Sequence, residues 1–347
     1  MPKPRLEWLL VFVPVAIFLE VTHADPVAIF ACAAIAILPL AGQIGHATED
    51  LALRSGPRVG GILNATFGNL TELIVAFFLI LEGELEIVKA SLTGSIIGNV
   101  LLVLGLAFLL GGWKRSEQTF SQPAVSLYVG TLVIAVVGLL MPALFALSPR
   151  ATGAHTEAVS IGVAIVLMLV YGLGMVFSFR THKSLFRPVM AEEEPRWSFG
   201  FAMGLLIGAT VLVAYMSEVL VGALEPTVEA LGMSRLFVGL IVVPIIGNAA
   251  EHSSAVVMAM KNKMEIAIEI AIGSSTQIAV FVAPVLVFIS LLVGEPMDFV
   301  FTAPEIAAVG VSAAIVSFIA LDGRSNWFEG AQLLATYAIL AVSFFFL

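Results

Sequence analysis

The chain reads as an all-α polytopic membrane protein: eleven transmembrane helices, arranged as two inverted five-helix repeats with an extra N-terminal helix. Three observations predict this. The 347 residues are 60% hydrophobic and 12% charged, with mean hydropathy +1.06, whereas a soluble domain carries roughly 25% charge. Apolar runs of about 20 residues, the length that crosses a hydrocarbon core, recur along the chain. One stretch also occurs twice, at a fixed offset of 179 residues.

The runs place helices at 6–22, 26–52, 58–81, 85–111, 121–147, 156–179, 197–223, 234–260, 263–293, 301–321 and 327–346. Lys3 and Arg5 precede the first run as in a leader peptide. Ala24-Asp25-Pro26 is a poor cleavage sequence, so a retained helix is expected. Cys32 is the one cysteine; it excludes a disulfide framework and is read as a small packing residue. The basic residues are scattered through short loops, so the net charge of -9 points to no nucleic-acid surface. Thirteen of the 16 Lys and Arg fall on one side of the membrane; only Lys89, Arg150 and Arg235 fall on the other. By the positive-inside bias the N-terminus is cytoplasmic, and an odd helix count puts the C-terminus outside.

Residues 55–95 align without gaps on 234–274. The identities include Val59/Val238, Gly60/Gly239, Gly68/Gly247, Asn69/Asn248, Glu72/Glu251, Glu86/Glu265, Gly94/Gly273 and Ser95/Ser274. Membrane helices share apolar residues by chance, but not Gly, Asn, Glu and Ser at one offset. The units are then 1–25 as the extra helix, 26–180 as the first repeat, 181–196 as a linker and 197–347 as the second repeat. Tandem units of five helices enter the membrane from opposite sides, which inverts one against the other. The linker carries Glu192-Glu193-Glu194 before Pro195, either as a solvated connection or as a cytoplasmic cation sensor.

The repeated core is Gly-Asn-x-x-Glu: Gly68-Asn69-Leu70-Thr71-Glu72 and Gly247-Asn248-Ala249-Ala250-Glu251. A carboxylate at mid-membrane costs about 2.5–3.5 kcal/mol on insertion scales and marks ion or proton paths. Asn and Glu three residues apart share a helix face. Gly68 and Ala76 lie on that face too and let another helix approach. Pro244 and the glycines suggest a broken helix with freed carbonyls at the site. Ser95 and Ser274, with Ser275, Thr276 and Gln277, add polar groups on the helices that follow. No Cys or His pair has zinc spacing. The donor set is all oxygen, which suits Ca²⁺ better than Mg²⁺, because Mg²⁺ keeps its waters. Two ionised glutamates neutralise one divalent cation. Without it, desolvation and mutual repulsion favour proton uptake. Ca²⁺ and protons then compete for Glu72 and Glu251, the logic of an antiporter. No cofactor is implied beyond the transported ions.

Other charged residues are less specific. His252 follows Glu251 and either packs and hydrogen-bonds or tunes that carboxylate. Glu218, inside the seventh helix, is either a buried structural carboxylate or part of a proton path or gate. Glu49 and Asp50 suit a local pair with Arg54. Glu82, Glu84, Glu86, Glu225 and Glu229 crowd the outer rim. Glu265 and Glu269 lie at helical ion-pair distance from Lys261 and Lys263.

These residues resemble a known family. Gly68-Asn69-Leu70-Thr71-Glu72-Leu73-Ile74-Val75 is similar to the first signature of the calcium/proton antiporters, within the cation/calcium exchanger superfamily. Gly247 to His252, with Lys261-Asn262-Lys263-Met264 and Gly273-Ser274-Ser275, is similar to the second, and Glu192 to Glu194 to the acidic loop. Leu70-Thr71 stands where Ala-Val is common, and neither is a proposed ligand. The resemblance implies the eleven-helix inverted-repeat fold and Ca²⁺ exchange for H⁺. Glu72 and Glu251 are its shared ligands, Asn69 and Asn248 the neighbouring amides, and the second and seventh helices the sliding pair. The short N-terminal tail makes a prokaryotic cell membrane the expected home.

Three other classes are weighed. A sodium/calcium exchanger wants more acidic and hydroxyl groups around the two glutamates, and antiport of another divalent such as Mn²⁺ stays open. A channel usually assembles several subunits round a pore, whereas one chain here supplies both halves of one site. No nucleophile triad, metalloprotease motif or phosphate loop suggests an enzyme. Any lipid-facing surface can equally face a second subunit, so a homo-oligomer is allowed.

Overall fold

The computed structural model describes residues 6–149, 151–182, 195–319 and 322–347. The acidic run Glu192-Glu193-Glu194 lies outside the described residues. The described chain is almost wholly helical. A short 3-10 segment, Leu6–Val11, leads into α1, Phe12–Val21. Asp25 then caps α2, Pro26–Phe67, accepting from the Ala28 N–H at 3.1 Å with Pro26 at the first turn. α3 is Leu70–Leu81, α4 Leu85–Gly112, α5 Gln122–Ala146, α6 Gly153–Thr181 and α7 Phe199–Gly222. α8 is Leu224–Leu231, α9 Arg235–Gly247 and α10 Ala249–Met260. α11 is Met264–Val293, α12 Ala303–Ile319 and α13 Trp327–Phe345.

Among the described residues, seven helices are long and apolar enough to cross a membrane, or eight if the bent pair α8 and α9 forms one span. The shorter count has a local cause. Two segments expected as single spans are interrupted at their motifs. α3 has only 12 residues because the helix breaks at Gly68-Asn69, and α10 has 12 because it breaks at Asn248. α12 has 17 residues, and the first expected span divides into a 3-10 segment and the 10-residue α1. The boundary expected at 53–57 also differs. Helical hydrogen bonding continues to Phe67, yet a Cβ on Gly60 would lie 3.0 Å from the Ala52 Cα. Eight residues of straight helix span about 12 Å, so the chain folds sharply back within α2, and the membrane-length part is Pro26–Ser55. At the other end, α8 and α9 meet at 119°, the turn made by Gly232 at φ +62°.

α4 is the most enclosed span, 78% buried, followed by α11 at 56%; α6 is 17% buried. α9, α10, α12 and α13 all pack on α4. α2 lies along α7. Asp50, 3% exposed, accepts backbone N–H groups of Arg196 and Trp197 just before α7 and pairs with Arg54 at 3.5 Å. The local Asp50–Arg54 pair is as expected, and the tie to α7 is an addition. Tyr215 of α7 donates to Glu20 of α1 at 2.7 Å. A two-residue ribbon, Gln118–Thr119 with Arg324–Ser325, joins the turns before α5 and α13. Gln118 also donates to Asn262 at 3.0 Å, so the α10–α11 turn lies at the same end.

The segments just before the two motifs sit differently. α9 lies against α4, and Val238 is 0% exposed. Val59, at the matching position of 58–67, is 51% exposed.

Candidate functional site

Glu72 and Glu251 both lie in the first turn of a helix, directly after the break that carries their Asn. That position suits a carboxylate, because the first backbone N–H groups of a helix are unpaired and carry partial positive charge. Neither Asn caps its own helix with its side chain. Both amides, each 0% exposed, are spent across the interface instead.

Asn69 donates Nδ2 to Gln277 Oε1 at 2.8 Å, and its Oδ1 accepts from Ser274 Oγ at 3.2 Å. Asn248 donates Nδ2 to Ser95 Oγ and to the Pro244 carbonyl, both at 3.0 Å. Its Oδ1 accepts from Asn99 Nδ2 at 3.3 Å. Asn99 also donates to Ser274 Oγ at 3.1 Å, and its Oδ1 faces His252 Nε2 at 3.1 Å. One buried network therefore joins residues from both sequence repeats, which satisfies the rule that buried polar groups find partners. A π-helical turn follows on each supporting helix, at Gly98–Val103 and Ile278–Val282. Such turns are frequent at functional sites.

The carboxylates cross over. A Cβ on Gly68 would lie 3.7 Å from Glu251 Oε1, and a Cβ on Gly247 would lie 3.2 Å from Glu72 Cγ. Each glutamate thus lies over the glycine of the other motif, where a larger residue would push it away. Oε2 of Glu72 and Oε2 of Glu251 are both buried without a hydrogen-bond partner. A buried acceptor left unsatisfied costs about 1–3 kcal/mol, more when charged. A proton or a cation removes that cost, so the pair fits both. Among the described residues, no three His, Cys, Asp or Glu side chains gather to hold a metal ion. The available donors are two carboxylates with amides and hydroxyls.

The structure brings together Asn69, Asn248, Ser95, Ser274 and the two glutamates at this interface. His252 reaches it through Asn99, with no hydrogen bond to Glu251. Glu218 is exposed on α7, and among the described residues no hydrogen bond links it to the pair. Lys261 and Lys263 make no ion pair with Glu265 or Glu269 among the described residues; Glu269 instead accepts from Tyr128 at 3.2 Å. Pro244 does supply a carbonyl near the site, but the chain breaks four residues later, at Asn248.

Sequence reasoning passed over Asn99 and did not single out Gln277. Each had a signal: Asn99 is four residues after Ser95, and Gln277 three after Ser274, so each shares a face with a serine already selected.

Residues 26–180 and 201–346 match the family model described as sodium/calcium exchanger protein. The chain is 44% identical over 355 residues to the Ca²⁺/H⁺ antiporter of Aphanothece halophytica, covering 97% of this chain and 95% of that one. It is 45% identical over 341 residues to the Ca²⁺/H⁺ antiporter ChaA of Bacillus subtilis, covering 96% and 97%. Among solved structures, native YfkE superposes with a TM-score of 0.88 at 42% identity, over 99% of this chain and 100% of that chain. The H⁺/Ca²⁺ exchanger CAX superposes with a TM-score of 0.76 at 14% identity, over 98% and 91%, a likeness of fold alone. The chain belongs to the sodium/calcium exchanger protein family, and its relatives there include Ca²⁺/H⁺ antiporters.

Proposed function

We propose that this protein is a secondary transporter that exchanges Ca²⁺ for H⁺ across a membrane, with Glu72 and Glu251 as the shared ligands. The crossed carboxylates carry this reading: each lies over the glycine of the other motif and each keeps one buried, unpartnered oxygen. Bound Ca²⁺ is neutralised by both glutamates. Protonation removes their charge and releases the cation. Asn69 and Asn248, oriented by Ser274 and Ser95, supply neighbouring amides. The names of relatives that share nearly the whole chain favour the same ion pair.

The chain is read as eleven spans in two inverted five-helix units plus the first helix, with four spans broken or short. The N-terminus is then cytoplasmic and the C-terminus outside, in a prokaryotic cell membrane. Alternating access follows from the two segments before the motifs. α9 is seated on α4 and closes the outer side, while Val59 and Ile62 in 58–67 are exposed, which favours an open cytoplasmic side. The long helices α2 and α7 would slide against the enclosed core of α4 and α11. The exposed position of Glu218 favours a role at an entrance over direct ion binding.

The test is Ca²⁺ uptake into proteoliposomes with acid inside, set against a sodium gradient at equal pH. Uptake driven by the proton gradient, with protons released, is expected. Uptake driven only by sodium would leave the two-glutamate site in place and replace the coupling ion.

A further inference from the structure

The stripe Ile87, Ala90 and Gly94 on α4 and the stripe Ile266, Glu269 and Gly273 on α11 are matched at the same offset. On α4 the stripe is a seat for α9. A Cβ on Gly239 would lie 2.5 Å from Ala90 Cβ and 3.1 Å from the Ile87 carbonyl, and one on Gly94 would lie 2.6 Å from Leu240 Cα. Backbone meets backbone there, which only small residues allow. On α11 the segment 58–67 does not take the matching seat, and Val59 is exposed. Something else stands in it. Tyr128 of α5 donates to Glu269 Oε1 at 3.2 Å, and its ring Cε1 lies 3.8 Å from where a Cβ on Gly273 would be. The start of α12, which corresponds to this part of α5, carries Ala307 and Ala308.

We propose that Tyr128 and Glu269 form a wedge in the seat that 58–67 would occupy on α11, and that this pair sets how readily the cytoplasmic side closes. Where one half offers alanines and a backbone-width groove, the other offers a phenol ring bonded to a carboxylate. Closing over α11 must swing the ring out and break its bond to Glu269. A carboxylate covered without a partner is costly, so Glu269 also needs a new donor once the segment is seated. The outer side meets no such obstacle. The pair therefore biases the resting protein toward the state open at 58–67. This inference rests on the alternating-access reading above and goes beyond it, since it assigns the bias to two residues outside the ion site.

The test uses the full chain in nanodiscs with Cys32→Ala. Val59→Cys and Val238→Cys serve as separate reporters for a water-soluble maleimide. With the native pair, Val59→Cys reacts fast and Val238→Cys slowly. In Tyr128→Ala/Glu269→Ala the first should slow and the second quicken, so that the ratio of the two rates falls by about tenfold, the scale of one charge-assisted hydrogen bond. Tyr128→Phe keeps the ring packed and should give a smaller shift in the same opposed sense. Rates that stay unchanged in both variants, or that rise together as packing loosens, would overturn the wedge. Adding Ca²⁺ with the native pair intact tests the gates themselves. If neither reporter then responds, alternating access at these segments fails, whereas failure confined to the variants strikes only the wedge.

Discussion

The two Gly-Asn-x-x-Glu motifs present the same residue types to each other, glutamate over glycine, yet the chain holds them differently. Asn69 is fixed by two side chains of α11, Gln277 and Ser274. Asn248 is fixed by two side chains of α4, Ser95 and Asn99, and by its own Pro244 carbonyl. The preceding segments diverge further: Val238 is buried on a core helix, and its counterpart Val59 is exposed. On the proposed mechanism, the matching parts answer to one shared ion and the differing parts to the two sides of the membrane. Ligands that must meet one cation keep matching positions. The supports and seats need only hold their own side, and they are free to differ.

The largest expected effect tests the matching part. Glu72→Gln and Glu251→Gln should each abolish Ca²⁺-dependent proton exchange while the protein keeps its elution profile and helical content. Substantial exchange by both variants would remove the two-carboxylate site.

The supports should separate the halves. Asn248→Ala removes three buried hydrogen bonds and Asn69→Ala two. Each leaves buried partners unsatisfied at about 1–3 kcal/mol per group. Both should lower thermal stability in detergent, Asn248→Ala more. Equal loss would mean that the extra bonds at Asn248 carry no weight.

The glycines should separate them in kind. Gly68→Ala puts a methyl 2.7 Å from the Asn64 carbonyl, a backbone clash, so it should reduce the yield of folded protein. Gly247→Ala meets the Glu72 side chain at 3.2 Å, which can shift. It should fold and bind Ca²⁺ more weakly, as read by the apparent KM for Ca²⁺. The reverse pattern would break the crossed arrangement.

The smallest effect is expected at Glu218. Exposed substitutions usually change stability by no more than about 0.5 kcal/mol, so Glu218→Gln should leave stability and the exchange rate within about twofold of the parent. A large change in the pH profile of exchange would instead place Glu218 on the proton path.

Much of this was legible in the sequence because the information is local. Apolar runs mark spans, since a hydrocarbon core demands about 20 apolar residues wherever they fall. Paired carboxylates in such runs stand out because they are costly there. Ser95 and Ser274 could be chosen because they recur at the repeat offset. Asn99 and Gln277 could not be chosen that way. Position 278, which matches Asn99, is Ile278, and position 98, which matches Gln277, is Gly98. Their role depends on the opposite half of the chain.

The amino-acid sequence by itself determined the helical membrane class and singled out the repeated motif with its two glutamates and asparagines, because hydrophobicity and a repeated motif are properties of short segments. Only the tertiary structure decided that each glutamate lies over the other motif's glycine, that Asn99 links both halves, and that Gly239 packs on Ala90 of α4 while Tyr128 packs beside Gly273 of α11. Those facts depend on contacts between residues 141 to 208 positions apart and on the relative placement of packed helices, which no local pattern encodes.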